Sequence, residues 1–173
     1  MKAIVIYCSK TGFTKRYAQW IAQELGCDAV PVQKKMELSG YDAVIFGSWL
    51  MAGSIRKAAW FKKQMKAVPG KKIVFATGSM PGNADEAIAQ IFEKNFSADE
   101  RQQLKLFYFQ GGLNYAKMGA VERFMMRMLC RMLRNKKDAS PEDKAMLKLI
   151  EKDFDGTDRS AIAPLVKAVR GER

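Results

Sequence analysis

Ala3-Ile4-Val5-Ile6-Tyr7-Cys8-Ser9-Lys10-Thr11-Gly12-Phe13-Thr14 is the stretch on which the reading of the chain turns. Its first five residues form a short, continuous, largely β-branched apolar run, the pattern of a parallel strand buried on both faces. Beyond it the period changes. Ala18, Ile21, Ala22 and Leu25 recur at steps of three and four, so a helix begins near Phe13 with one face turned inward. Cys8 to Thr14 therefore spans the junction between a strand and a helix, where free N–H groups and the positive end of the helix dipole favour an anion. Ser9, Thr11 and Thr14 add hydroxyls, Lys10 and Phe13 stand among them, and Gly12 lets the backbone approach a bulky ligand. The stretch reads as a phosphate cradle.

Two other anion loops are excluded. A Walker A loop ends in Gly-Lys-Ser/Thr, whereas Gly12 is followed by Phe13. A cysteine-dependent phosphatase needs an arginine six residues after its thiolate, where this chain has Thr14, so Cys8 reads as core. What remains, Ser-x-Thr-Gly-x-Thr directly after the first strand, resembles the phosphate loop of the flavodoxin family, which holds the phosphate of FMN.

At 173 residues, 48% hydrophobic and 28% charged, the composition is that of one globular domain over residues 1–173. The net charge of +12 calls for an anionic partner, whether a lipid surface, a nucleic acid or an acidic ligand. There is no histidine, which removes Ser-His and zinc-histidine mechanisms, and no metal site is expected. Cys8, Cys27 and Cys130 form neither a metal-spaced cluster nor an even disulfide set, so reduced thiols in a cytoplasmic setting are expected. The N-terminus reads as a strand rather than a signal peptide, and no apolar run reaches membrane-spanning length.

Along the chain, Asp28 to Val32 is the second strand and Tyr41 to Gly47 the third, followed by a loop from Ser48 to Gly53. Ser54 is read as the cap of a helix carrying Ala58, Phe61, Met65 and Val68, stopped by Pro69-Gly70. Ile73 to Thr77 is strand four, running into the Gly-rich loop Gly78 to Gly82. Asn83 with Glu86 reads as a helix start, with Ile88, Ile91 and Phe92 facing in, and Ser97 with Glu100 as a capping box. Leu104 to Gln110 is strand five, ending at Gly111-Gly112-Leu113-Asn114-Tyr115. A long helical stretch reaches Leu133, a charged break covers Asn135 to Asp138, and a capped helix starts at Ser140-Pro141. Ile162, Leu165, Val166 and Val169 mark a last helix, in which Pro164 removes one early hydrogen bond.

Strands alternating with helices predict an α/β, doubly wound parallel sheet. The flavodoxin-like order 2-1-3-4-5 brings the loops after strands one, three and four together at the switch point. The resemblance implies that FMN lies there, on Ser9, Lys10, Thr11, Gly12, Phe13 and Thr14, on Ser48, Trp49, Leu50, Met51, Ala52 and Gly53, and on Thr77, Gly78, Ser79, Met80 and Gly82. Trp49 either stacks on the isoalloxazine or anchors its own loop. The loop after strand four has no aromatic, so the second flavin face is open or covered by Met80 or Tyr115. Lys15 and Arg16 in the first helical turn either support a bound phosphate or are plain solvated cations.

From Lys117 to Lys137 there are seven basic residues and one acid. Arg123, Arg127, Arg131 and Arg134 fall within an arc of roughly 80°, while Phe124, Met125, Met126, Met128, Leu129, Met132 and Leu133 occupy most of the rest. So broad an apolar face packs on the domain, on a partner or against an anionic membrane. Gly111 to Tyr115 followed by Val121-Glu122-Arg123-Phe124-Met125-Met126 resembles the insertion of menaquinone-dependent protoporphyrinogen IX dehydrogenases, placed here at about 116–137. That resemblance implies an FMN enzyme passing electrons from a porphyrinogen to a quinone at the inner face of the membrane. The alternative is a soluble flavodoxin-type electron carrier, although carriers of that family are acidic. A nucleic-acid partner is not expected, since no aromatic platform interleaves with the basic stripe.

Overall fold

Successive residues of the first strand enter different cores. Val5 packs with Tyr17, Ala18 and Ile21 on one side of the sheet, and Ile4 and Ile6 pack with Phe46, Phe61 and Met65 on the other. The structure, a computed structural model, describes residues 1–172. Its elements are β1 (Ala3–Cys8), α1 (Phe13–Leu25), β2 (Asp28–Pro31), β3 (Ala43–Met51), β4 (Ser54–Ile55), α2 (Ala58–Gln64), β5 (Lys71–Gly78), α3 (Asp85–Asn95), α4 (Ala98–Gln103), β6 (Lys105–Gln110), β7 (Gly112–Leu113), α5 (Ala120–Asn135), α6 (Pro141–Ile150), β8 (Phe154–Asp155) and α7 (Ala163–Arg170). The parallel sheet has the order β2-β1-β3-β5-β6, with β4 antiparallel to the end of β3. This is the flavodoxin-like order expected from the alternation of strands and helices.

Burial on both faces explains why the strands are unbroken apolar runs. Ile45, Ile73 and Phe75 join the α1 and α7 side, while Phe46, Val74 and Ala76 join the α2 and α3 side. Aromatic stacking fixes each layer: Tyr17 on Phe109 at 4.9 Å, and Phe46 on Phe61 at 4.8 Å. Tyr17 Oη also donates to the Gln110 carbonyl at 2.7 Å, which satisfies its buried hydroxyl.

Several local expectations are corrected. Ser54 is not a helix cap; it pairs with Met51 in β4, and α2 starts at Ala58 behind Lys57. With β4 as a partner, β3 runs on through Met51, so Ser48 to Met51 are strand rather than loop. α3 starts at Asp85 after Ala84, with no side-chain cap from Asn83. Pro164 lies in the first turn of α7, where its missing N–H has no partner to lose. The boxes at Ser97 and Glu100, and at Ser140 with Asp143, both form.

The excursion between β6 and α7 holds the two helices expected there and adds a pair of short strands that were not expected. β7 and β8 pair antiparallel at its base, and α5 and α6 pack as a hairpin beyond them. The Asp153 carboxylate accepts from the Tyr115 amide at 2.7 Å, and the Arg16 guanidinium binds Asp155 and Thr157, tying this base to α1. Arg16 is thus a solvent-exposed cation that is also tied to the base of this excursion. Among the described residues no helix is long and apolar enough to cross a membrane.

Candidate functional site

Gly12 ends the β1–α1 loop at φ 103°, a left-handed value that favours glycine. No side chain caps α1 and no acid stands in its first turn, so the N–H groups there are free to meet an anion. Ser9 Oγ is buried without a hydrogen-bond partner among the described residues. Such an orphan costs about 1–3 kcal/mol, which a ligand oxygen at the loop would relieve. Thr14 does not offer a free hydroxyl as the sequence suggested. Its Oγ1 shares a hydrogen bond with Thr77 Oγ1 at 2.7 Å, and both residues are buried.

Beside the loop opens a cavity of about 520 Å³, within the range of small-molecule sites. Lys10, Thr11, Phe13 and Thr14 line one part of it, and Trp49, Leu50, Met51, Ala52 and Gly53 line another. Both Lys10 Nζ and the Arg56 guanidinium lie 5.8 Å from the Trp49 ring centroid, which holds the indole in place by cation–π attraction. The β3–β4 turn carries two left-handed residues, Ala52 at φ 49° and Gly53 at φ 73°. That conformation strains Ala52, and α3 holds it there. Lys94 Nζ donates to the Ala52 carbonyl and Asn95 Nδ2 to the Gly53 carbonyl, each at 2.9 Å.

Thr77, Gly78, Ser79 and Met80 form a further wall. A side chain at Gly78 would come within 2.8 Å of Tyr108 Oη, so the close packing there requires glycine. Tyr108 Oη donates to the Met80 carbonyl at 2.9 Å and fixes this loop. Burial pushes the phenol pKa well above its ordinary value, so Tyr108 stays protonated as a donor. Over the top lie Met118, Met125, Met126 and Leu129 on and beside α5, with Met146 and Ile150 from α6. Glu122, the lone acid of the basic segment, turns inward and pairs with Lys10. The Lys10 ammonium holds its carboxyl below the usual range.

Of the residues expected at the cofactor, Ser9, Gly12, Ser48, Gly82 and Tyr115 do not line this cavity, Ser9 Oγ being buried beneath the loop. Ser48 is fully buried, its Oγ donating to the Arg56 carbonyl at 2.6 Å, because β3 continues past it as strand. Gly82 is exposed in the turn beyond Met80. Tyr115 donates instead to the Ile150 carbonyl and faces a separate hollow with Arg127, Arg131 and Arg134. The sequence reading missed the α3 stripe Ala87, Gln90, Ile91 and Lys94, although its three- and four-residue spacing was visible. Tyr108 was missed as well, and of the surroundings left open for the apolar face of α5, the domain itself takes Met125, Met126 and Leu129, which line the cavity.

The family model described as a flavodoxin domain matches residues 4–140. The chain belongs to the flavodoxin domain family. Similar solved structures include a WrbA-like flavodoxin from Agrobacterium tumefaciens, 14% identical over 99% of each chain with a TM-score of 0.47. A flavodoxin from the domain Archaea is 18% identical over 96% of this chain and 99% of that one, with a TM-score of 0.41. A flavoprotein from Lactobacillus acidophilus, solved in complex with FMN, is 17% identical over 63% of this chain and 91% of that one, with a TM-score of 0.45. No curated protein matches the chain. The cofactor of the flavodoxin family is FMN, and the residues present fit it. The uncapped α1 terminus and the orphaned Ser9 hydroxyl suit a phosphate monoester, and the cavity walled by Trp49 suits a flat ring.

Proposed function

We propose that the protein is an FMN-dependent oxidoreductase that takes electrons from a reduced apolar, porphyrinogen-like substrate and passes them to a quinone-type acceptor. The observation that carries this reading is the methionine roof: α5 and α6 close an apolar wall over the same cavity that the phosphate loop and Trp49 open onto. Methionines adapt to irregular apolar shapes, and a roofed cavity keeps water from the reacting ring.

Bound FMN supplies the redox chemistry, so no side-chain acid or base is required for electron transfer itself. The α1 terminus, Ser9, Lys10 and Thr11 would hold the phosphate, while Trp49 would offer its indole face to the ring. Tyr108, by fixing the Met80 carbonyl, keeps the Thr77–Met80 wall in place. Met118, Met125, Met126 and Leu129 receive the apolar partner. The outer face of α5, with Arg123, Arg127, Arg131 and Arg134, brings the cavity to an anionic membrane at its cytoplasmic side.

The test is anaerobic turnover of the FMN-loaded protein with protoporphyrinogen as donor and a menaquinone analogue as acceptor. Turnover that falls when Met126 and Leu129 are both changed to Gln, with FMN still bound, supports the enzyme reading. FMN binding with no quinone-dependent oxidation of any porphyrinogen would move the protein to the electron-carrier class.

A further inference from the structure

We propose that Lys94 sets the reduction potential of the flavin, as the one uncompensated charge on the cavity wall among the described residues. The inference rests on the FMN reading above. Three charged side chains line the cavity: Lys10, Lys94 and Glu122. Lys10 and Glu122 pair and so largely cancel. Lys94 has no carboxylate within ion-pair distance among the described residues, and its ammonium is held instead by the Ala52 carbonyl at 2.9 Å.

Its position separates it from the phosphate end. The phosphate loop leads into α1, which packs on one face of the sheet with Val5 and Ile45. α3 packs on the opposite face through Phe92, beside Ile6 and Val74, and sends Gln90 and Lys94 to the cavity from that side. The turn that Lys94 grips is itself fixed. Asn95 accepts from the Ile55 amide and donates to the Gly53 carbonyl, each at 2.9 Å, so the ammonium stands against a wall that does not drift. An ammonium has three donors, and the Ala52 carbonyl uses one.

Bound FMN, on accepting two electrons and one proton from the substrate it oxidises, would carry one added negative charge. A fixed cation near the ring favours that charged form over the neutral oxidised one, and charge beside the ring is one of the means by which a protein tunes a flavin. A flat ring filling the cavity that Lys94 lines would also take solvent from the ammonium and strengthen its field. Lys94 thus raises the affinity for reduced FMN relative to oxidised FMN, independently of any hold on the phosphate.

The experiment compares the FMN-loaded wild type with Lys94→Gln and Lys94→Arg, measuring the two-electron midpoint potential of bound FMN and the Kd of oxidised FMN. Lys94→Gln should lower the ratio of reduced to oxidised affinity about tenfold, equivalent to about 30 mV for a two-electron couple. Lys94→Arg should leave the potential at the wild-type value. The glutamine change is repeated in an Ala52→Gly background, where the turn no longer needs the lysine to hold a strained residue. Persistence of the shift there supports the proposal; its disappearance overturns it. A weaker Kd for oxidised FMN with an unmoved potential would make Lys94 a purely structural clip and also overturns it. Failure of the wild type to bind FMN would defeat the FMN reading, a result visible before any Lys94 variant is made.

Discussion

Thr14 and Thr77 meet through their hydroxyls at 2.7 Å, joining the first turn of α1 to the C-terminal end of β5 on the cavity wall. Both residues are buried, at 1% and 3% exposure, so neither hydroxyl has water to fall back on. Replacing Thr14 by Val should cost about 1–3 kcal/mol of stability, because Thr77 is left unsatisfied. The double change to Val at both positions should recover part of that loss, since no polar group is then stranded. Urea unfolding of the two variants measures the difference.

Ser9 should behave in the opposite way. Its buried hydroxyl has no partner among the described residues, so Ser9→Ala removes an unsatisfied group and should leave the FMN-free protein as stable or more stable. The same change should weaken FMN binding about tenfold, the effect of losing one hydrogen bond to a charged oxygen worth about 1.5 kcal/mol or more. Thermal melting without FMN and fluorescence titration with it give the two readings. A loss of stability together with unchanged FMN affinity would remove Ser9 from the phosphate site.

The Lys10–Glu122 pair predicts a pH dependence. In the folded chain Lys10 holds the Glu122 carboxyl below its ordinary value, so the unfolded chain takes up the proton first as pH falls. The pair therefore contributes fully above the unfolded carboxylate pKa of about 4.3, and its contribution is lost as pH drops through the lowered folded value. Tm measured against pH for wild type and Glu122→Gln should show a constant gap near neutrality that closes in acid. A gap that widens toward low pH would contradict the pairing.

The outer face of α5 predicts salt-sensitive membrane binding. Val121, Phe124, Met128 and Met132 are 64%, 62%, 49% and 65% exposed and lie beside the arginine stripe. Arg134 is paired with Glu151, so Arg123, Arg127 and Arg131 carry the attraction, at about 1 kcal/mol each near an anionic surface. Vesicles containing phosphatidylserine should sediment the protein at low salt and release it as salt rises. Changing these three arginines to Gln should abolish binding, while indifference of the wild type to such vesicles would assign the stripe to another partner.

The sequence by itself determined the parallel strands, the anion loop and the helix caps at Ser97 and Ser140, because each is written in neighbouring residues: a continuous apolar run, a period of 3.6, a Ser followed by an acid three places on. It also placed Trp49 and the Thr77–Met80 segment at the switch point, since chain order alone brings those strand ends together. What it left open was decided by partners far away in the chain. Whether Ser48 to Met51 is loop or strand depended on β4 folding back to pair with it. Thr14 spends its hydroxyl on a residue 63 positions away, and Glu122 finds Lys10 across 112 positions. The apolar surface of α5 was plain from composition, but its division into an inner face over the cavity and an outer one open to solvent was set by the β7–β8 base and the packing against α6. A helical period fixes which residues share a face, and only the surface the helix is laid against fixes what that face touches.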